Sequence, residues 1–335
     1  MTSPGPGGRP DGRIILHLPG AMAQPDGARL SGFLAKLHAG FTRAGARVEI
    51  RRRDFAALEA LAETPDFHIV WQGRMRHPRL LNTAVGYIFP FWYLDAEGVY
   101  GASSLAHAAF DPAAQPAPEA RAFVQRLRQR LVVPRQSRID QPQSPTGPLP
   151  EGAIAIFLQG WSEPTERLRH MTEAEMVAAV LADTAGRPVI VKPHPLARDT
   201  ETFELLAALQ DDPRVTVSFG NIHDILASAA LSVSLCSSVS LEGMLHHRPA
   251  VLFGRSDFHH CAETVTRAKD WPAAQARALA RDWPFDAFLY WFLARQMVNA
   301  GRPDLLEQAA ARIAATGADL GALGLARLAG LAPGA

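Results

Sequence analysis

The run Val191-Lys-Pro-His-Pro195 ends a stretch of strand character and leads into a helical pattern. Proline suits a helix start, where its missing N–H would have had no partner in any case. Lys192, His194 and Pro195 are thereby expected at a strand end beside a helix N-terminus. Backbone N–H groups, a positive dipole end and a ring donor there suit an anion such as phosphate. A prolyl turn carrying a solvent-facing histidine accounts for the tetrapeptide equally well on its own. The composition favours chemistry: of 34 basic residues only three are lysines, Lys36, Lys192 and Lys269.

A second segment, Leu235-Cys-Ser-Ser-Val-Ser240, opens into Leu241-Glu-Gly-Met-Leu245. Ser237 or Ser238 can cap a helix. A capping box would need its acid three residues after the cap, whereas Glu242 lies four after Ser238, on the same helical face. Two hydroxyls and a carboxylate one turn on can hold a phosphate and a ribose together. In Asn221-Ile-His-Asp224, His223 is a candidate for the same crevice, although Asn221 as a plain N-cap explains the segment more simply. The pairs His246-His247 and His259-His260 lack the i, i+4 spacing of a helical zinc site, so no metal is expected. In Tyr93-Leu-Asp-Ala-Glu-Gly98, Asp95 and Glu97 read either as turn residues or as a general base. Burial beside Trp92 and Tyr93 would raise a carboxyl pKa towards that role.

These residues need strands to present them. Strand-like runs at 13–18, 48–50, 67–71, 153–158, 188–192, 215–217, 231–235 and 250–253 alternate with helical patterns at 29–44, 54–62, 118–132, 172–185, 199–210, 222–229 and 239–247. Such alternation predicts parallel α/β sheets, whose ligands sit at the carboxyl ends of strands. In Val85–Leu94, Pro90 predicts an edge or a break. Residues 134–150 carry five prolines and no periodicity, and read as a linker between two Rossmann-like domains, 13–133 and 151–271. Residues 1–12 read as a disordered tail and 272–335 as C-terminal helices. The aromatic stretch at 285–300 reads as core, and the Ala/Gly/Leu-rich end from Gly317 as a segment that frays.

At 335 residues the chain has room for two domains. A net charge of +1 argues against a nucleic-acid partner. Cys236 and Cys261 lack a disulfide or metal framework, which points to a reducing, cytoplasmic setting. No apolar run approaches the ~18 residues of a membrane span. The first strand is followed by Pro19-Gly20-Ala-Met-Ala, not G-x-G-x-x-G, and Walker A and G-x-S-x-G are absent.

Taken together, Lys192-Pro-His-Pro195, Asn221-Ile-His-Asp-Ile-Leu226, Ser237-Ser-Val-Ser-Leu-Glu-Gly-Met-Leu245, His247–Gly254 and Phe258-His-His260 resemble the bacterial capsule polysaccharide synthesis and export family. Its characterised members are β-Kdo glycosyltransferases. The segment Phe91–Ser104 is also similar, and the His-Pro and Ser-Ser elements resemble bacterial sialyltransferases. The resemblance implies a GT-B fold, two Rossmann-like domains facing a cleft. The second domain would bind a CMP-activated sugar as substrate, with no separate cofactor. The first would bind a polysaccharide or glycolipid acceptor. It assigns the CMP phosphate to His194, Ser237 and Ser238, the ribose to Glu242, and the base to Asp95 or Glu97. A capsule-assembly contact is the further partner expected, and the aromatic stretch at 285–300 offers, as a lesser alternative to core, a peripheral inner-membrane contact with Arg295 as its one nearby base. The competing expectations are a transferase using a UDP- or GDP-sugar, and a non-catalytic glycan-binding module.

Overall fold

The computed structural model describes residues 11–30, 32–59 and 64–329. The chain begins with β1 (Ile14–Leu18), α1 (Gly32–Ala44), β2 (Val48–Arg52), α2 (Phe55–Glu59), β3 (Phe67–Trp71), β4 (Leu80–Val85) and β5 (Phe91–Asp95). A second series follows: α3 (Ala117–Leu131), β6 (Ala153–Phe157), α4 (Glu163–Leu168), α5 (Glu173–Ala182), β7 (Val189–Lys192), α6 (Thr200–Leu209), β8 (Val215–Val217), α7 (Ile222–Ser228) and β9 (Ala229–Ser234). It continues through α8 (Val239–Leu245), β10 (Ala250–Leu252), β11 (Glu263–Thr264), α9 (Trp271–Ala280) and α10 (Phe285–Leu289). The described chain closes with β12 (Val298–Asn299) and α11 (Leu305–Ala315).

Two compact units result. Unit 1 takes the residues up to Ser104 and those from Ala294 onward, and unit 2 takes Leu105–Leu293. Unit 1 is built on a sheet of order β12-β5-β4-β3-β1-β2, antiparallel at β4–β5 and β5–β12 and parallel elsewhere. Unit 2 is built on a wholly parallel sheet of order β11-β10-β9-β6-β7-β8. Parallel strands are covered on both faces, so they are written as unbroken apolar runs. Every residue of β6 and of β7 is buried. The expected α/β class with two Rossmann-like units is the fold observed.

The core of unit 1 joins distant parts of the chain. Phe33, Leu34, Leu37 and Phe41 of α1 pack in one cluster with Ile14, Leu16 and Leu18, and with Leu305, Ala309 and Ile313 of α11. Leu320, Leu323 and Leu325 complete it. The end of the chain up to Leu325 is therefore core rather than fraying, because its leucines cover an otherwise open sheet face. Its last residues, from Gly330, lie outside the described part, as do Met1–Pro10 of the expected tail and 60–63 of the expected 54–62 helix.

The domain boundaries differ from the linear reading. The helix expected to close the first domain, α3, packs on α8 and α10 and belongs to unit 2. Residues 134–150 also lie within unit 2, held there by hydrogen bonds described below. The expected C-terminal helical region is shared, with α9 and α10 in unit 2 and β12 and α11 in unit 1. The aromatic stretch is core as expected, but after α10 it continues as a π-helical segment, Tyr290–Arg295, and then as a strand. Pro90 marks the expected break, in the turn between β4 and β5. Among the described residues no helix is long and apolar enough to cross a membrane.

Candidate functional site

In unit 2 the chain runs from β6 outward through β7 and β8, then returns to the other side of β6 with β9, β10 and β11. The connections therefore diverge between β6 and β9. This topological switch point leaves a crevice outside the carboxyl ends of the strands, the usual ligand position in open α/β sheets. The loops at this end are 158–162 after β6, 193–199 after β7 and 235–238 after β9. The sequence identified the second and third. The first was missed, although Gly-Trp-Ser after an apolar strand is a signal that could have found it.

Gln159 ties two of these loops together. Its Oε1 accepts from the Cys236 N–H at 2.7 Å, and its own N–H donates to the Glu173 carboxylate. Loop 158–162 is also anchored to loop 193–199, since the Trp161 N–H donates to Asp199, which caps α6 by accepting from the Thr202 N–H at 2.9 Å. Gly160 has φ +65°, and a Cβ there would lie 2.9 Å from Asp199 Oδ2. Only glycine meets both conditions comfortably.

Lys192 is buried at the end of β7, and burial pushes its ammonium down to about 8. His194 lines a cavity of about 560 Å³ shared with Gln159, Trp161, Ser162 and Asp199. Its Nδ1 accepts from the Leu196 N–H at 3.1 Å, so the neutral ring carries its proton on Nε2 as a donor. Burial, reinforced by the Lys192 charge, lowers the His194 pKa below its ordinary value. Ser237 accepts from the Val239 N–H at 3.3 Å through its hydroxyl, and Ser238 stands at the N-cap of α8 without a side-chain capping bond. The structure thus brings Lys192, His194, Pro195, Ser237 and Ser238 to one end of one sheet, on loops flanking or next to the switch point.

Two other candidates are used differently. His223 is buried, with Nε2–H donating to the Gln136 carbonyl at 2.8 Å and Nδ1 2.9 Å from His246 Nε2. A carbonyl can only accept, so His246 supplies the proton of the second bond. Glu242 is buried and hydrogen-bonded by Ser137, and burial raises its pKa to about 7. Asn221 caps α7 through the His223 N–H and donates to the Arg135 and Pro142 carbonyls at 2.9 and 3.0 Å. Asp224 receives a two-pronged Arg135 contact at 2.9 and 2.6 Å and the Thr146 hydroxyl at 2.6 Å. The Asn-x-His-Asp motif and Glu242 therefore fasten residues 135–146 as a strap across unit 2. A proline-rich segment has few N–H donors of its own, and its carbonyls take donors from outside. His223 is not a crevice residue, and Glu242 contacts the strap where a ribose contact was expected.

In unit 1, Asp95 proves to be a turn clamp. Its Oδ1 accepts from the N–H groups of Glu97, Gly98 and Ser104 at 2.8, 3.0 and 3.1 Å, and its Oδ2 accepts from the Ser104 hydroxyl at 2.5 Å. Four hydrogen bonds thus hold this carboxylate to the turn that follows β5. Glu97 stays partly exposed and pairs with Arg76. Among the described residues no group of three or more His, Cys, Asp or Glu is placed to hold a metal ion.

No protein-family model matches the chain, and no curated protein matches it. Among solved structures it is similar to the KpsC beta Kdo 2,4 transferase of Thermosulfurimonas dismutans, with a TM-score of 0.52 and 14% identity over 82% of this chain and 88% of that one. The KpsC beta Kdo 2,7 transferase of the same organism matches with a TM-score of 0.48 and 13% identity over 83% and 88%. At 14% identity the first likeness shows the fold: the two-sheet α/β architecture extends over most of both chains.

Proposed function

We propose that this protein is a glycosyltransferase that moves an acidic sugar, Kdo, from a CMP-activated donor to a glycan or glycolipid acceptor of a surface polysaccharide. The observation that carries this reading is the placement of His194 beside Lys192 at the carboxyl end of β7. The ring nitrogen not held by Leu196 is a proton-bearing donor, on the cavity flanking the switch point. In transfer, the bond between the sugar anomeric carbon and the phosphate oxygen breaks, and negative charge collects on the departing CMP phosphate. The His194 Nε2–H and the Lys192 ammonium meet that charge, and the Ser237 and Ser238 hydroxyls serve it from the loop after β9 at the same end of the sheet. The acceptor oxygen bonds to the anomeric carbon as the CMP leaves, and its proton passes to a carboxylate. Asp95 is committed to its turn by four hydrogen bonds, so we assign that role to the more exposed Glu97.

The test is thermal stabilisation by CMP, UMP and GDP, followed by transfer from CMP-Kdo. CMP is expected to raise the melting temperature and the other two to do so less. His194→Ala should weaken CMP binding by about tenfold or more, the usual worth of a charged hydrogen bond. Glu97→Gln should abolish transfer while leaving CMP binding intact. Stabilisation by UMP or GDP alone would move the reading to another nucleotide sugar. Binding without turnover would favour a non-catalytic module.

A further inference from the structure

The cavity that holds His194 also carries two large apolar side chains that the fold leaves uncovered. Trp161 is 65% exposed and Leu196 is 60% exposed, and both line this cavity. Trp161 stands just before Ser162, the N-cap of α4. An apolar residue there commonly packs on the fourth residue of the helix, but that position is Glu166. The indole therefore has no staple partner. Its backbone, in contrast, is fixed, because the Trp161 N–H donates to Asp199 and the next residue caps α4. A largely exposed aromatic side chain lining a cavity offers a surface for a flat ligand.

Resting on the donor site proposed above, we infer that Trp161 and Leu196 bind the base of the donor nucleotide, with the pyrimidine ring stacked on the indole. The phosphate-directed His194 and both apolar groups share one cavity of about 560 Å³, large enough to take a nucleotide and not only its phosphate. Close packing of Gly160 on Ala197 and Asp199 holds loop 158–162 against the His-Pro loop, so base and phosphate subsites are arranged together.

The experiment is calorimetric titration of CMP and of ribose 5-phosphate, which lacks the base, into the full-length protein and into Trp161→Phe and Trp161→Ala. Base stacking predicts that Trp161→Ala weakens CMP by about tenfold and Trp161→Phe by less than about threefold. Ribose 5-phosphate should bind all three proteins alike. CMP should quench indole fluorescence in the parent and not in Trp161→Phe. Equal weakening of both ligands, or of neither, overturns the inference. If CMP binds and His194→Ala weakens it while Trp161→Ala does not, only this inference fails. If no nucleotide binds the parent protein, the function proposed above fails with it.

Discussion

Burial decides the charge of the residues that matter most. Lys192 ionises at about 8 in place of its ordinary 10.5, because its ammonium has left water. Between pH 7 and 9 the charge of CMP is constant while Lys192 loses its proton, so CMP affinity should fall across that interval. In Lys192→Met, which keeps the buried stem without the charge, the affinity should be weaker and flat with pH. A slope that persists in the variant would remove Lys192 from the phosphate site. Asp95 makes the opposite point. Asp95→Asn keeps an oxygen for the three backbone N–H groups but removes the charge and puts an NH2 where the Ser104 hydroxyl donates. The loss should be about 2–3 kcal/mol of stability, read as a lower denaturation midpoint. A variant of native stability that has lost only transfer would restore Asp95 as the base.

At the level of elements, the strap at 135–146 is the feature with the most polar fastening. Asp224→Ala removes the Arg135 and Thr146 contacts at once and should cost about 1–2 kcal/mol, with faster proteolysis and amide exchange within 135–146 before the sheet is affected. Unchanged protection of that segment would show the strap to be held by packing alone. The strap also explains what could be read in advance. Strands β6 and β7 were legible because burial on both faces writes them as apolar runs, β9 because small serines alternate with its buried Leu231 and Val233, and the His-Pro and Ser-Ser loops because they follow those strands. The roles of Asn221, His223 and Glu242 were not. His223 bonds a main-chain carbonyl 87 residues away, and a carbonyl carries no side-chain signature. Likewise β12, two residues long, is too short for any period to show.

For the whole molecule, buried histidines set the response to acid. His17 and His68 are 3.0 Å apart between β1 and β3, and burial lowers both to about 4. His246 is lowered to about 3 for the same reason. All three rings take up protons near 6.5 once unfolded, so stability is lost as pH falls from 6.5 towards 4, by about 1.4 kcal/mol per pH unit for each ring. Glu242, raised to about 7, acts in the other direction, since the stability it contributes is lost as pH rises from its ordinary 4.5. Between pH 6.5 and 5 three rings outweigh one carboxyl, and urea midpoints at pH 7, 6 and 5 should decline in that order. A midpoint that held steady would refute the burial argument. The division of the chain has a consequence in time. Unit 2 is inserted between Ser104 and Ala294, and unit 1 draws its sixth strand and the helix α11 from the far side of that insertion. During synthesis at about 5–20 residues per second, unit 2 has its whole sequence before unit 1 does. The half of the molecule that begins first is the half that finishes last, and a chain ending near residue 294 would carry the whole sequence of unit 2 while the unit 1 sheet still lacked β12.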